Sequence, residues 1–320
     1  MRSAKPRIAA IVGPTASGKT ALAVALRHRG LPIEVVCCDA LQLVRGLDAA
    51  TAKPSAEERA AVPHHLVDVI APTEAADAGA YALLADAAIA DILSRDAWPL
   101  LVGGTGLYHR AVVRGLAQLP ASVPSVRAAL ELDAATLGMA AMHARLGDVD
   151  PAYADTTPVA NRQRVLRALE VHTLTGRAFS AFHAEHAAQA DRYSCATVVL
   201  EPERESHLRH VAARARLMAP DLLIEVAQLL AAGLQPTAPG MQALGYRQAA
   251  AMILSRDTDQ AETRTAQDDS DTLTEVLTVG HRRYAKRQRT WFRKTPAALR
   301  VMAPQADVAQ VAAVLRQWFS

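Results

Sequence analysis

The chain has 320 residues, with 35 Lys+Arg against 32 Asp+Glu for a formal net charge of +3, and it is 51% hydrophobic and 21% charged. That balance excludes disorder as the main state, and no apolar run reaches the roughly 20 residues needed to cross a bilayer. The length fits one large domain or two ordinary ones; Met1–Arg7 shows no signal-peptide pattern, and a cytoplasmic protein is expected.

Ile8–Val12 is a short, wholly apolar run suited to a buried parallel strand, and Gly13 ends it. A helix is predicted from Gly18–Thr20 until Gly30 and Pro32 stop it. Two more β-like runs follow, Ile33–Cys38 ending in Asp39, and Leu100–Val102 ending in Gly103-Gly104-Thr105-Gly106. Alternation of strand, turn and helix predicts a parallel α/β sheet. From about Leu116 to Asp191 helical patterns dominate, Cys195–Leu200 reads as another buried strand, and the remainder reads as helical. The expected organisation is an α/β core over 1–115 and 193–320, interrupted by a helical insertion subdomain over 116–192. Ser255–Asp271 is polar, without apolar periodicity, and is expected to be a solvated loop.

Three cysteines, Cys37, Cys38 and Cys195, have no metal-type spacing, and neither a disulfide nor a metal site is expected from them. His64 and His65 are sequence neighbours, a poor arrangement for chelating one ion.

Gly13-Pro14-Thr15-Ala16-Ser17-Gly18-Lys19-Thr20 fits G-x-x-x-x-G-K-[ST] at every position, between a strand and a helix. Backbone N–H groups of such a loop curl around phosphate oxygens, Lys19 neutralises the terminal phosphates, and the Thr20 hydroxyl can hold Mg²⁺. The motif leaves open whether those phosphates belong to a nucleotide or to another pyrophosphate ester. In an open parallel sheet, ligands sit beyond the carboxyl ends of the strands, so the loop, Asp39 and Gly103–Thr105 should converge. Asp39 suits a general base, a Mg²⁺ ligand through water, or a helix N-cap. Thr105 suits a substrate hydrogen bond or a plain turn.

His281–Lys294 carries seven Lys/Arg and no acid, so the rest of the chain is net acidic. On a helix Arg282, Lys286, Arg289 and Arg293 form one stripe. Tyr284, Trp291 and Phe292 interleave with it, a combination that favours nucleic acid over a merely solvated face. Gln163–Arg167 is a smaller basic cluster in the insertion.

The phosphate loop, Asp39-Ala40-Leu41-Gln42, Arg45–Asp48, Thr51-Ala52-Lys53-Pro54, Pro63–Asp68, Gly103–Tyr108, Arg167–Val171, Gly245-Tyr246-Arg247-Gln248, and Tyr284–Gln288 with Trp291-Phe292-Arg293 together resemble the tRNA dimethylallyltransferase (IPP transferase) family, in order and over nearly the whole chain. The resemblance implies a P-loop NTPase-like parallel sheet flanked by helices. It also implies transfer of a dimethylallyl group from dimethylallyl pyrophosphate to N6 of the adenosine 3′ of a tRNA anticodon, with Mg²⁺, by a cytoplasmic monomer. On this resemblance Asp39, Thr105 and Lys19 are catalytic, Gly13–Thr20 and Arg214 bind the pyrophosphate, and Thr20 carries the metal. The tRNA would meet Asp39, Ala40, Leu41, Gln42, Thr105, Arg127, Gln163, Arg164, Arg167, Gln242, Gly245, Tyr246, Arg247, Lys286, Arg287, Gln288, Trp291 and Arg293. The sequence departs from the family pattern at Ala40, Val44, Ala50, Asp221 and His281. A P-loop small-molecule kinase is the main alternative; a base-inert RNA-binding protein and a prenyltransferase of free adenine nucleotides are others.

Overall fold

The computed structural model describes residues 5–75, 77–255, 265–303 and 305–320. It divides into two compact units, one of Met1–Val113 with Arg192–Ser320, the other of Arg114–Asp191. Among the described residues, no helix is long and apolar enough to cross a membrane.

The first unit is built on strands β1 (Arg7–Val12), β2 (Ile33–Cys37), β3 (His64–His65), β4 (Trp98–Gly103), β5 (Ser194–Pro202) and β6 (Leu299–Ala303). They form one sheet in the order β3-β2-β4-β1-β5-β6, parallel at every pairing. Every residue of β1 after Arg7 is buried, which is why its sequence shows no alternation. Helices α1 (Lys19–His28), α2 (Ala56–Ala61), α3 (Ala78–Ser94) and α4 (Gly106–Val113) come from the first half of this unit. Helices α9 (Arg204–Ala231), α10 (Tyr246–Ser255), α11 (Ala266–Arg293) and α12 (Val308–Phe319) come from the second. The sheet's core joins Ile11, Leu22, Leu26, Val35, Leu100, Val198 and Leu315. A separate core around Leu47, Leu222, Met241, Tyr246, Leu273 and Leu277 ties α9, α10 and α11 together.

Three elements differ from the sequence reading. The short strand β3 is present, and β6 stands where only helix was expected; it pairs with β5 from Val198↔Leu299 to Pro202↔Ala303. The polar stretch is not a loop throughout. Residues 256–264 lie outside the described residues, but from Ala266 the chain is helical, started by a capping box in which Thr265 and Asp268 exchange hydrogen bonds. The few apolar residues that follow, Leu273 and Leu277, are fully buried, so a narrow stripe is enough to seat this end of α11.

The second unit holds α5 (Pro124–Val149), α6 (Pro151–Thr156), α7 (Arg162–Thr175) and α8 (Phe179–Ala187). Its core is Leu130, Met142, Leu146, Val165, Leu166, Leu169 and Phe179. Two buried acids organise it. Asp150 caps Tyr153 and accepts from the Ser180 N–H and hydroxyl, while Glu170 accepts from Ser122, the Val123 N–H and Arg167.

Candidate active site

The loop between β1 and α1 opens with Gly13, whose Cβ would lie 2.8 Å from Leu200 O, and closes with Gly18 at φ +82°. Lys19 donates to Gly13 O at 3.2 Å and Pro14 O at 2.7 Å, folding its ammonium back over the loop. Burial lowers its pKa from 10.5 to about 8, against the pull of Asp39.

Asp39 follows β2. No helix begins there, so it is not a helix N-cap; its Oδ1 accepts from Leu41 N–H at 3.1 Å and closes a turn. Burial raises its pKa above the ordinary 3.8, opposed by that hydrogen bond and by Lys19 and Arg214. Gln42 fixes the turn from beyond, donating to Thr51 O and Ala52 O while Cys37 Sγ–H donates to its Oε1. The neighbouring Thr51–Pro54 segment is held by Lys53, which donates to Val44 O and pairs with Asp48 and Asp68.

The glycines after β4 are explained by close approach. A Cβ on Gly103 would stand 1.9 Å from Cys38 O, one on Gly104 2.1 Å from Gln288 Nε2, and one on Gly106 2.3 Å from Trp291. This packing brings Thr105 against the Asp39 turn: its Oγ1 accepts from Ala40 N–H at 3.1 Å, and its side chain hydrogen-bonds Tyr284.

Two cavities meet at Asp39. One, of about 210 Å³, is bounded by Thr15–Ala21, Asp39, Thr51, Pro54, Glu58, His64 and Arg214. The other, of about 300 Å³, is bounded by Thr15, Asp39–Leu41, Ala50–Ala52, Arg214, Met218, Leu244, His281, Tyr284 and Arg287. Thr15, Asp39, Thr51, Ala52 and Arg214 line both. Arg214 Nη1 reaches Thr15 Oγ1 at 3.5 Å, which places this arginine at the phosphate loop. Burial beside Arg214 lowers the His281 pKa to about 4, so this residue, like Ala40 and Ala50 a departure from the family pattern in the second cavity's wall, is a neutral imidazole.

Several expected RNA contacts are elsewhere. Tyr246 is fully buried and its hydroxyl donates to Glu225 at 2.6 Å, so its side chain is a core residue; Gly245 beside it is buried too. Gln288 is also buried: its Oε1 accepts from Thr15 N–H at 2.8 Å and its Nε2 donates to Gly104 O at 2.9 Å. It braces the two glycine loops instead of facing outward. Gln242, Arg247, Lys286, Arg287 and Arg293 are exposed, and Trp291 is half-buried beneath the Arg110 guanidinium. In the second unit Gln163 and Arg164 are exposed on α7, whereas Arg127 pairs with Glu131, and Arg167 is held by Glu170 and Pro120 O. Lys286, Arg289 and Arg293 border a third cavity with Pro14, Leu200 and Phe292, away from Asp39.

Sequence reasoning missed His207 and Glu225. His207 donates from Nε2 to Thr15 O at 2.7 Å, and Glu225 accepts from the Asp48 and Ala49 N–H groups, next in sequence to Ala50 of the second cavity's wall. Neither stands in a local motif. None of the three cysteines is in a disulfide, and burial pushes the Cys38 thiol up to about 12.

A glycine-rich loop with its lysine at the end of a central parallel strand, and a half-buried carboxylate between the loop and a second cavity, define a P-loop α/β protein arranged to act on a phosphate ester and a second substrate. The profile of the IPP transferase family matches residues 42–295, and the chain belongs to that family. It is 44% identical over 299 residues to the tRNA dimethylallyltransferase of Anaeromyxobacter dehalogenans, spanning 93% of this chain and 95% of that one. The full-length tRNA isopentenylpyrophosphate transferase of Bacillus halodurans superposes with a TM-score of 0.69 at 31% identity, covering 98% and 97% of the two chains. A eukaryotic dimethylallyltransferase acting on tRNA shares the fold, with a TM-score of 0.75 at 21% identity over 98% of this chain and 77% of its own.

Proposed function

We propose that the chain transfers the dimethylallyl group of dimethylallyl pyrophosphate to N6 of the adenosine 3′ of the anticodon in tRNA. The observation that carries this reading is the position of Asp39 where a phosphate-loop cavity meets a second, less polar one. The pyrophosphate lies in the loop, with Lys19 and Arg214 on its charge. The adenine, extruded from the anticodon loop, enters from the side of Tyr284 and Arg287. The allylic C–O bond breaks and its electron pair leaves with the pyrophosphate; N6 forms the new bond to carbon and passes its proton to Asp39. Adenine N6 is a weak nucleophile because its lone pair is delocalised, so a base at this junction matters.

The residues present fit Mg²⁺. Among the described residues no group of three or more His, Cys, Asp and Glu could hold a metal, so a transition-metal cage is not built here. The loop instead offers hydroxyls, Thr20 and the buried, otherwise unpartnered Ser17 Oγ. Few protein oxygens plus substrate phosphates are what Mg²⁺ takes. Thr20 would hold it, and when bound it supplies further charge stabilisation to the leaving pyrophosphate.

Incubation with Mg²⁺, unmodified tRNA and either labelled dimethylallyl pyrophosphate or γ-labelled ATP tests the reading. Prenyl label is expected in the adenosine beside the anticodon; phosphate label in an acceptor, without prenyl transfer, would mean a kinase.

Arg287 stacks over Tyr284 at 5.8 Å, and its neighbour Lys286 on α11 is exposed. Replacing both by alanine is expected to weaken tRNA binding and to lower the slope of log K against log salt by roughly 0.7 per lost phosphate contact. Filter binding across a salt series measures it, and an unchanged slope would remove these two side chains from the phosphate contacts.

A further inference from the structure

One residue of the phosphate loop holds a conformation that disfavours its side chain: Ala16 lies at φ +59°. Such a backbone persists where its surroundings over-determine it. The peptide before it, between Thr15 and Ala16, is held on its carbonyl side by His207, whose Nε2 lies 2.7 Å from Thr15 O. His207 is on α9, is 1% exposed and borders neither cavity at Asp39. Its Nδ1 faces Arg289 Nη1 at 3.4 Å. A guanidinium only donates, so Nδ1 accepts, the proton resides on Nε2, and the imidazole is neutral.

In a trans peptide the carbonyl and the following N–H point in opposite directions. With Thr15 O drawn to His207, the Ala16 N–H is turned the other way. Backbone N–H groups beside a left-handed residue form the concave nest that receives an anion. The Thr15 N–H takes no part, because it is committed to Gln288.

We propose that His207 is a positioning residue for the pyrophosphate: it locks the Thr15–Ala16 peptide so that the Ala16 N–H stays turned into the loop. The inference rests on the reading of Gly13–Thr20 as the pyrophosphate cradle. Without His207 the peptide is free to turn over, which relieves Ala16 and withdraws a donor from the anion.

The test uses the full chain with Mg²⁺, calorimetric binding of inorganic pyrophosphate, and the separate KM for dimethylallyl pyrophosphate and kcat. His207→Leu is expected to weaken pyrophosphate binding at least tenfold and to raise that KM to match, with kcat and tRNA affinity changed less than threefold. His207→Gln, whose amide can still donate to Thr15 O, should recover most of the loss, which a general packing defect would not allow. His207→Asn keeps a polar group but falls short of Thr15 O; it should behave as the leucine variant and carries the test should that one fail to fold. Glycine adopts φ +59° at no cost, so in an Ala16→Gly background the loss of His207 should matter less than threefold. Additive effects of the two changes, or unchanged binding in both the Leu and Asn variants, would overturn the lock while leaving the cradle in place. A wild-type chain that does not bind pyrophosphate would overturn both.

Discussion

Asp39→Asn is expected to lower the rate of prenyl transfer by about 10²–10⁴-fold, the range in which a positioned general base contributes, while tRNA affinity stays within twofold. The amide keeps the oxygen that accepts from Leu41 N–H, so the turn that places Ala40 beside Thr105 survives. What is lost is proton acceptance at the junction of the two cavities. Burial raises the Asp39 pKa, so the folded state binds this proton more tightly than the unfolded chain does. Stability from this group is therefore lost as pH rises from the ordinary value of 3.8 through the raised one, and the neutral amide avoids that loss. Single-turnover assays beside thermal melts at neutral pH should show an inactive variant at least as stable as the parent. Full activity on bound tRNA would remove Asp39 as the base.

The second large effect is expected at Lys19. Lys19→Met should cost about 10²–10³-fold in kcat/KM for the allylic pyrophosphate, since it removes a preorganised charge from the leaving group. The pKa of about 8 sets the pH dependence. Without ligand the ammonium loses its proton as pH passes 8, so pyrophosphate binding should take up a proton above that pH and weaken as pH rises further. For stability the sign is opposite to that of an ordinary ion pair. A lysine depressed from 10.5 to about 8 binds its proton less tightly when folded; the penalty is full below pH 8 and disappears by about 10.5. The methionine variant should thus melt at a higher temperature than the parent at pH 7. Calorimetry in two buffers of different ionisation enthalpy measures the proton uptake, and its absence near pH 8–9 would show that Lys19 is already fully charged.

The phosphate loop was legible because its chemistry is local: eight consecutive residues between a strand and a helix specify it. Asp39 and Thr105 were legible for a topological reason, as residues that end parallel strands. The resemblance alone set Tyr246 among the RNA contacts, and no local pattern signals that the start of α10 turns its ring inward onto Glu225, which lies 21 residues earlier. Gln288 sits in a run of basic residues, and only the docking of α11 reveals that it faces the glycine loops. The β6 strand was hidden because Leu299–Ala303 is short and buries only Val301 and Ala303, with Arg300 and Met302 exposed at the sheet's edge. A signal for the start of α11 did exist, the Thr265 and Asp268 spacing of a capping box, but the polar run around it masked the period of the buried positions.

The Gln288 brace also bears on when the site becomes competent during synthesis. Its partner, the Thr15 N–H, was made 273 residues earlier, an interval on the order of tens of seconds at cellular elongation rates. Until α11 leaves the ribosome and docks, the phosphate loop lacks the support of Gln288 and Arg289, and the Gly104 carbonyl lacks its donor. A nascent chain carrying the complete glycine-rich motif thus lacks this support, and the loop gains it only in molecules whose α11 has already been translated.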